Sequence, residues 1–221
     1  MLKAIIFDFD GVIVDTESAF LQAWQEIYAE YGYTLSLDDW VAMLGASSNP
    51  AEPYEFLETH LGYALDRVAL YDRHEQREVE LLEQASLMPG VMEVMGQAKQ
   101  AQLRLGIASS SRRSWVAGLL SRFGILDEFD SIKTADEVTL TKPHPHLYLA
   151  VLDELNIAAR DALAIEDTPN GMLAAKRAGL FCVAVPNNVT RHLPSLPADL
   201  TIDSLEHLPM GALLELPVSP S

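Results

Sequence analysis

The chain is nearly without cysteine and short of cations. Among its 221 residues Cys182 is the one cysteine, so an internal disulfide is impossible, and its place in an apolar run reads as a buried small hydrophobe in a reducing cytoplasm. Lys and Arg number 15 against 32 Asp and Glu, a formal net charge of −17. A chain this acidic is unsuited to nucleic acid or anionic membranes, although a small phosphorylated ligand needs only local positive charge. No apolar run reaches membrane-spanning length. The N-terminus enters a strand-like run without the charged, apolar and small-residue pattern of a secretory signal, so a cytoplasmic protein is expected. Repeats and low-complexity segments are also lacking.

What is present is alternation. Strands are predicted at Lys3–Asp8, Arg104–Ser109, Ser131–Thr134, Ala162–Glu166, Phe181–Val185 and Asp199–Ile202, and helices at Pro89–Gln100, Arg112–Phe123, His146–Leu155 and Asn170–Ala178. This rhythm predicts an α/β fold with a parallel sheet covered on both faces. The stretch after the first strand breaks it. Helical patterns at Glu17–Tyr31, Ser36–Met43, Pro50–His60 and Asp66–Glu83 have no strand among them, and residues 18–84 carry thirteen Asp and Glu, three Arg and no Lys. We read residues 1–15 and 87–221 as an α/β core and residues 16–86 as a helical insert whose paired junctions can act as a hinge. The tail from about Pro209 is expected to be weakly ordered.

Asp8 and Asp10 end the first strand. Side chains two apart on a strand point the same way, and two adjacent carboxylates need a proton or a cation between them. Ser109, followed by Ser110, ends the second strand, where a hydroxyl and free amides can hold a phosphate or simply cap a helix. Lys142 sits in a loop with Pro143 and Pro145, and Glu166-Asp167 ends another strand just before Pro169. Each is an ordinary feature alone. A parallel sheet gathers all four at one edge, where open sheets bind their ligands.

The order Asp8-Phe9-Asp10-Gly11-Val12-Ile13-Val14-Asp15-Thr16-Glu17, then Met88-Pro89-Gly90-Val91, Ser109, Lys142-Pro143 and Glu166-Asp167 with Gly171 and Ala174-Ala175 resembles the haloacid dehalogenase superfamily, in its phosphatase and phosphomutase branch. The resemblance runs from Leu2 to about Ile202. It implies a three-layer Rossmann-like core with an inserted all-helical cap, in a monomer. It implies that Asp8 is a nucleophile forming an aspartyl-phosphate and that Asp10 is the general acid and base. Ser109 and Ser110 would hold the phosphate, and Lys142 would neutralise it and orient Asp8. Mg2+ would be bound by the Asp8 carboxylate, the Asp10 carbonyl and Asp167, with Glu166 in or beside that shell. Asp15 and Thr16 are positioning residues at the hinge.

Within the family, Asp10 disfavours dehalogenation, and a cap without lysine disfavours imine-based phosphonate cleavage. The β-phosphoglucomutase type carries a gating His where this chain has Phe20, together with a cap lysine, so a phosphatase is preferred to a phosphosugar mutase. A non-catalytic binding module on the same fold is a further alternative, but every motif position is chemically competent. The loop Leu44-Gly45-Ala46-Ser47-Ser48-Asn49 is small and polar, suited to a hexose phosphate or to a sugar-acid phosphate such as 6-phosphogluconate. Phosphoglycolate, nucleoside monophosphates and pyrophosphate remain open. A second anion on the substrate needs basic cap residues, which only Arg67, Arg73 and Arg77 could supply. Arg112 and Arg113 lie near the phosphate end in sequence.

Overall fold

The structure is a computed structural model that describes residues 1–45, 53–193 and 198–215. Its centre is one parallel sheet of β1 (Ala4–Phe7), β2 (Arg104–Ala108), β3 (Ser131–Lys133), β4 (Ala162–Glu166), β5 (Phe181–Ala184) and β6 (Leu200–Thr201) in the order β3-β2-β1-β4-β5-β6. The order reverses between β1 and β4, which pair in register from Ala4 with Ala162 to Phe7 with Ile165. A crevice outside the strand ends opens at such a reversal.

Alternation along the strands separates two unequal faces. Ile5, Phe7, Leu105, Ile107, Leu163, Ile165 and Val183 point into a large apolar cluster with α5 (Val91–Gln100) and α6 (Arg113–Arg122). Ile6 apart, the other face is built from small side chains, Ala4, Ala108, Ala162, Ala164, Cys182 and Ala184, beneath α7 (His146–Leu155) and α8 (Pro169–Arg177). Small residues let the helices approach closely. A Cβ at Gly106 would lie 2.6 Å from Val151 Cγ1. Cys182 is fully buried and its thiol is unpaired, as expected of a small core residue.

Helices α1 (Thr16–Glu30), α2 (Leu37–Gly45), α3 (Pro53–Leu61) and α4 (Arg67–Leu82) form the inserted cap. Leu21, Trp24, Ile27, Tyr28, Leu35, Trp40, Leu57 and Leu70 give it an apolar cluster of its own, joined by Val189 from the loop after β5. Asp15 starts α1 by accepting from Ser18 N at 3.0 Å, so it acts as a helix cap. The two junctions lie side by side, with Val14 bridged antiparallel to Leu87 and Met88 N donating to Ile13 O at 2.9 Å.

The expectation of weak order from about Pro209 is corrected as far as Glu215, and residues 216–221 lie outside the described residues. Met210–Glu215 is a helix, α9, with Met210 and Leu213 buried in the larger cluster. Two apolar residues three apart make one helical stripe, which the flanking prolines concealed. The helix predicted from Pro89 begins instead at Val91, because Gly90 takes the left-handed φ of +86° and a Cβ there would meet Glu206 N at 2.2 Å. Most of the loop 44–49, to which substrate choice was assigned, lies outside the described residues.

Candidate active site

The ladder runs past the strands into the site. Asp8 N donates to Ile165 O at 2.9 Å, Ser109 N to Lys133 O at 2.9 Å and Val185 N to Glu166 O at 2.7 Å. Sheet hydrogen bonds therefore set the backbone of Asp8, Ser109 and Glu166. Asp8, Glu166 and Asp167 are buried together, with one carboxylate oxygen from each lying within 4.8 Å of the other two. Lys142 answers them. Its Nζ lies 2.7 Å from Asp8 Oδ1 and 2.7 Å from Glu166 Oε1, with the side chain 5% exposed.

Burial and the neighbouring Glu166 push the Asp8 carboxyl well above its usual range, against the pull of Lys142. Burial does the same to Asp167, reinforced by Asp8 and Glu166. For Lys142 burial opposes the charge, yet Asp8 and Glu166 outweigh it and raise the ammonium above its usual range. Three carboxylates with one lysine leave negative charge uncompensated in a desolvated space. Glu166 Oε2 and Asp167 Oδ1 are buried with no hydrogen-bond partner among the described residues. Unpaired buried oxygens of hard carboxylates suit a divalent cation.

Two glycines make room for this cluster. Gly11 turns the chain with φ +75°, and a Cβ there would lie 2.2 Å from Asp167 Oδ2. A Cβ at Gly171 would lie 1.8 Å from Glu166 Oε2. Thr168 caps α8, its hydroxyl accepting from Gly171 N at 3.2 Å.

Asp10 goes elsewhere. Its carboxylate accepts from Ser111 Oγ at 2.6 Å, Trp115 Nε1 at 3.0 Å and Ser109 Oγ at 3.3 Å. Its side chain thus stands apart from the cluster of Asp8, Glu166 and Asp167. Ser109 is fully buried and accepts from Ser111 N at 3.0 Å, while α6 starts later with Arg112 as its N-cap, so Ser109 does not cap that helix. Ser110 is exposed on the same loop. Arg113 is spent on Glu137 at 2.6 Å, whereas Arg112 is exposed.

Several site residues were not foreseen. Asn187 Nδ2 donates to Asp167 Oδ2 at 2.8 Å, and the Tyr148 hydroxyl donates to Glu166 Oε1. Ser111 and Trp115 hold Asp10. Asn187 was findable, since it follows the strand end at Ala184. Tyr148 sits inside a core helix and gives no signal of its own.

From the cap, Glu17 and Glu78 feel the field of Asp10. Burial raises the Glu17 carboxyl to about 7, with Asp10 and Asp15 adding to it. Burial raises Glu78 to about 8, with Asp10, Glu17 and Glu75 adding to it. The three cap arginines are all engaged. Arg67 pairs with Glu58 at 2.7 Å, Arg77 with Glu26 at 2.7 Å and Glu80 at 2.9 Å, and Arg73 with Glu30.

The profile of the haloacid dehalogenase-like hydrolases matches residues 5–185. The chain belongs to that family. It is 40% identical over 215 residues to "Putative phosphatase YhcW" of Bacillus subtilis (strain 168), covering 97% of each chain. It is 30% identical to the β-phosphoglucomutase of the same organism, covering 97% of this chain and 95% of that one. The crystal structure of CbbY from Rhodobacter sphaeroides in complex with phosphate superposes with a TM-score of 0.74 at 30% identity, over 95% of this chain and 97% of that one. The chain is accordingly an enzyme of the family's phosphoric monoester hydrolase kind.

Proposed function

We propose that this chain is a Mg2+-dependent phosphatase of small phosphorylated sugars that works through an aspartyl-phosphate. The observation that carries this reading is the buried set Asp8, Lys142, Glu166 and Asp167 at the sheet's reversal, with Asp10 two residues from Asp8. Lys142 and the Phe9 N–H, at 2.7 Å, both hold Asp8 Oδ1, which leaves Oδ2 free to attack phosphorus. Asp10 gives a proton to the departing sugar oxygen. It then takes one from the water that cleaves the acyl phosphate, releasing phosphate and restoring Asp8. Ser109 and Ser110 with their loop amides bind the phosphoryl oxygens, and Lys142 offsets their charge. Asp8, Asp167 and Glu166, with the Asp10 carbonyl, would hold Mg2+, which supplies charge neutralisation for the transferring phosphoryl group.

We read residues 16–86 as a mobile cap on a core of residues 1–15 and 87–221. The cap's own apolar cluster, to which the core adds Val189, and the bridged pair of connectors support a hinge there. The pairing of all three cap arginines favours a neutral, hydroxylated leaving group such as a hexose over the carboxylate of 6-phosphogluconate. A phosphosugar mutase is disfavoured because the Phe20 ring packs between Trp40 at 5.7 Å and His74 at 4.4 Å as part of the cap interior. His74 is itself buried, with Nε2 on Phe20 O at 3.0 Å.

The test is phosphate release from glucose, fructose and hexitol phosphates, 6-phosphogluconate, phosphoglycolate, nucleoside monophosphates and pyrophosphate, with Mg2+ and with EDTA. Release that needs Mg2+ and vanishes in Asp8→Asn supports the reading. Conversion of β-glucose 1-phosphate to glucose 6-phosphate without release would replace it with the mutase.

A further inference from the structure

The Asp10 carboxylate is oriented by a cradle that the phosphoryl chemistry does not itself require. Trp115 Nε1 donates to Oδ1 at 3.0 Å and Ser111 Oγ to Oδ2 at 2.6 Å, with Ser109 Oγ at 3.3 Å. The cradle is itself anchored. Ser111 N is bonded to Ser109 Oγ at 3.0 Å, and Ser111 O accepts from Ala135 N at 2.9 Å, tying the loop to the segment after β3. Trp115 lies in the first turn of α6, half-buried, with its ring packed against the main core cluster. A half-buried indole can give its N–H to water; this one gives it to a carboxylate. A carboxylate offers about four acceptor directions. Trp115 and Ser111 fill two of them, and Ser109 a third until it turns to a phosphoryl oxygen, which leaves room for the proton exchanged with the leaving oxygen.

We propose that Trp115, together with Ser111, is a positioning residue that aims Asp10 at the leaving-group oxygen. This rests on the reading of Asp10 as the general acid. In the step concerned the bond from Asp8 Oδ2 to phosphorus forms as the phosphorus–oxygen ester bond breaks. The Asp10 proton passes to the departing alkoxide. Misaiming Asp10 costs most where the leaving group needs that proton and least where it does not.

The experiment compares kcat/KM, which reports the steps up to leaving-group release, for glucose 6-phosphate and p-nitrophenyl phosphate. A sugar alkoxide cannot leave without a proton, whereas p-nitrophenolate can. Trp115→Phe keeps the ring and removes the donor. It is expected to lower kcat/KM for glucose 6-phosphate about 10- to 50-fold while changing that for p-nitrophenyl phosphate less than about threefold. Ser111→Ala should show the same split, which keeps the test valid should the tryptophan variant fail to fold, and Ser111→Thr should restore it. Asp10→Asn should show the split at greater size. Equal losses on both substrates, or no loss, would overturn the positioning role. Asp10→Asn without a split would remove the acid assignment and this inference with it. A split in Asp10→Asn that is missing from Trp115→Phe and Ser111→Ala would remove this inference alone. No release of either phosphate by the unaltered protein would instead defeat the phosphatase reading.

Discussion

Gly171 leaves the space that the Glu166 carboxylate occupies: a Cβ at Gly171 would lie 1.8 Å from Glu166 Oε2. The third residue of α8 is therefore glycine because of a side chain that approaches from β4. Replacing glycine by alanine inside a helix usually stabilises by about 0.5–1 kcal/mol. Here Gly171→Ala is expected to destabilise and to displace Glu166. Activity should fall at least about tenfold with a higher Mg2+ requirement if Glu166 is one of the residues that hold the metal, as proposed above. Mg2+ titrations of activity and a thermal melt check both parts.

Lys142 bridges Asp8 and Glu166 from a nearly inaccessible position. Removing one partner of a buried ion pair costs about 3–5 kcal/mol, since the other charge stays desolvated. Lys142→Met is expected to fall in that range in urea denaturation with EDTA. Mg2+ should recover part of the loss, because a cation replaces the missing ammonium. Activity should not return, since Asp8 Oδ1 has lost one of its two orienting contacts.

Stability should fall toward alkaline pH. A carboxyl whose folded pKa is raised binds its proton more tightly in the native state than in the unfolded chain. The native state therefore loses stability as pH climbs from the unfolded value of 4.5 through about 7 for Glu17 and about 8 for Glu78. Burial also raises Asp8 and Asp167, with the same sign. Burial lowers the pKa of His74, so its cost is confined to acid pH. Metal-free protein should melt at a lower temperature near pH 8.5 than near pH 6.8, and Mg2+ should narrow the gap. Glu78→Gln should recover roughly 1–2 kcal/mol at the higher pH. An unchanged melting temperature across this window would contradict the assigned burial of these acids.

The cap arginines should matter little. Arg73 and Arg77 are partly exposed and paired with surface glutamates. Each alanine substitution is expected to cost less than about 1 kcal/mol and to leave the kcat/KM ratio of glucose 6-phosphate to 6-phosphogluconate unchanged within about twofold. A loss confined to 6-phosphogluconate would show that an arginine leaves its glutamate for the substrate.

Part of the site was readable along the chain because a parallel sheet imposes a local rule. Apolar runs ending in Asp8, Ser109 and Glu166 mark both the strands and the edge they reach, and at that edge the carboxylates of Asp8 and Glu166 lie together. The cap was equally legible, since helical periodicity without strands marks an insert whatever its packing. The helix Met210–Glu215 was missed because a stripe of two apolar residues carries too little period to outweigh prolines on either side.

Sequence by itself determined the alternation of strands and helices, the acidic helical insert and the carboxylates at strand ends, because each is written in neighbouring residues. Tertiary structure alone decided how those groups are served. Tyr148 reaches Glu166 from the middle of α7, Asn187 reaches Asp167 from the loop after β5, and Trp115 reaches Asp10 from the start of α6. It also decided that the cap arginines face glutamates. A hydrogen-bond donor on a helix has the same local pattern whether it meets water or a buried carboxylate, so its partner is known only when the elements are packed.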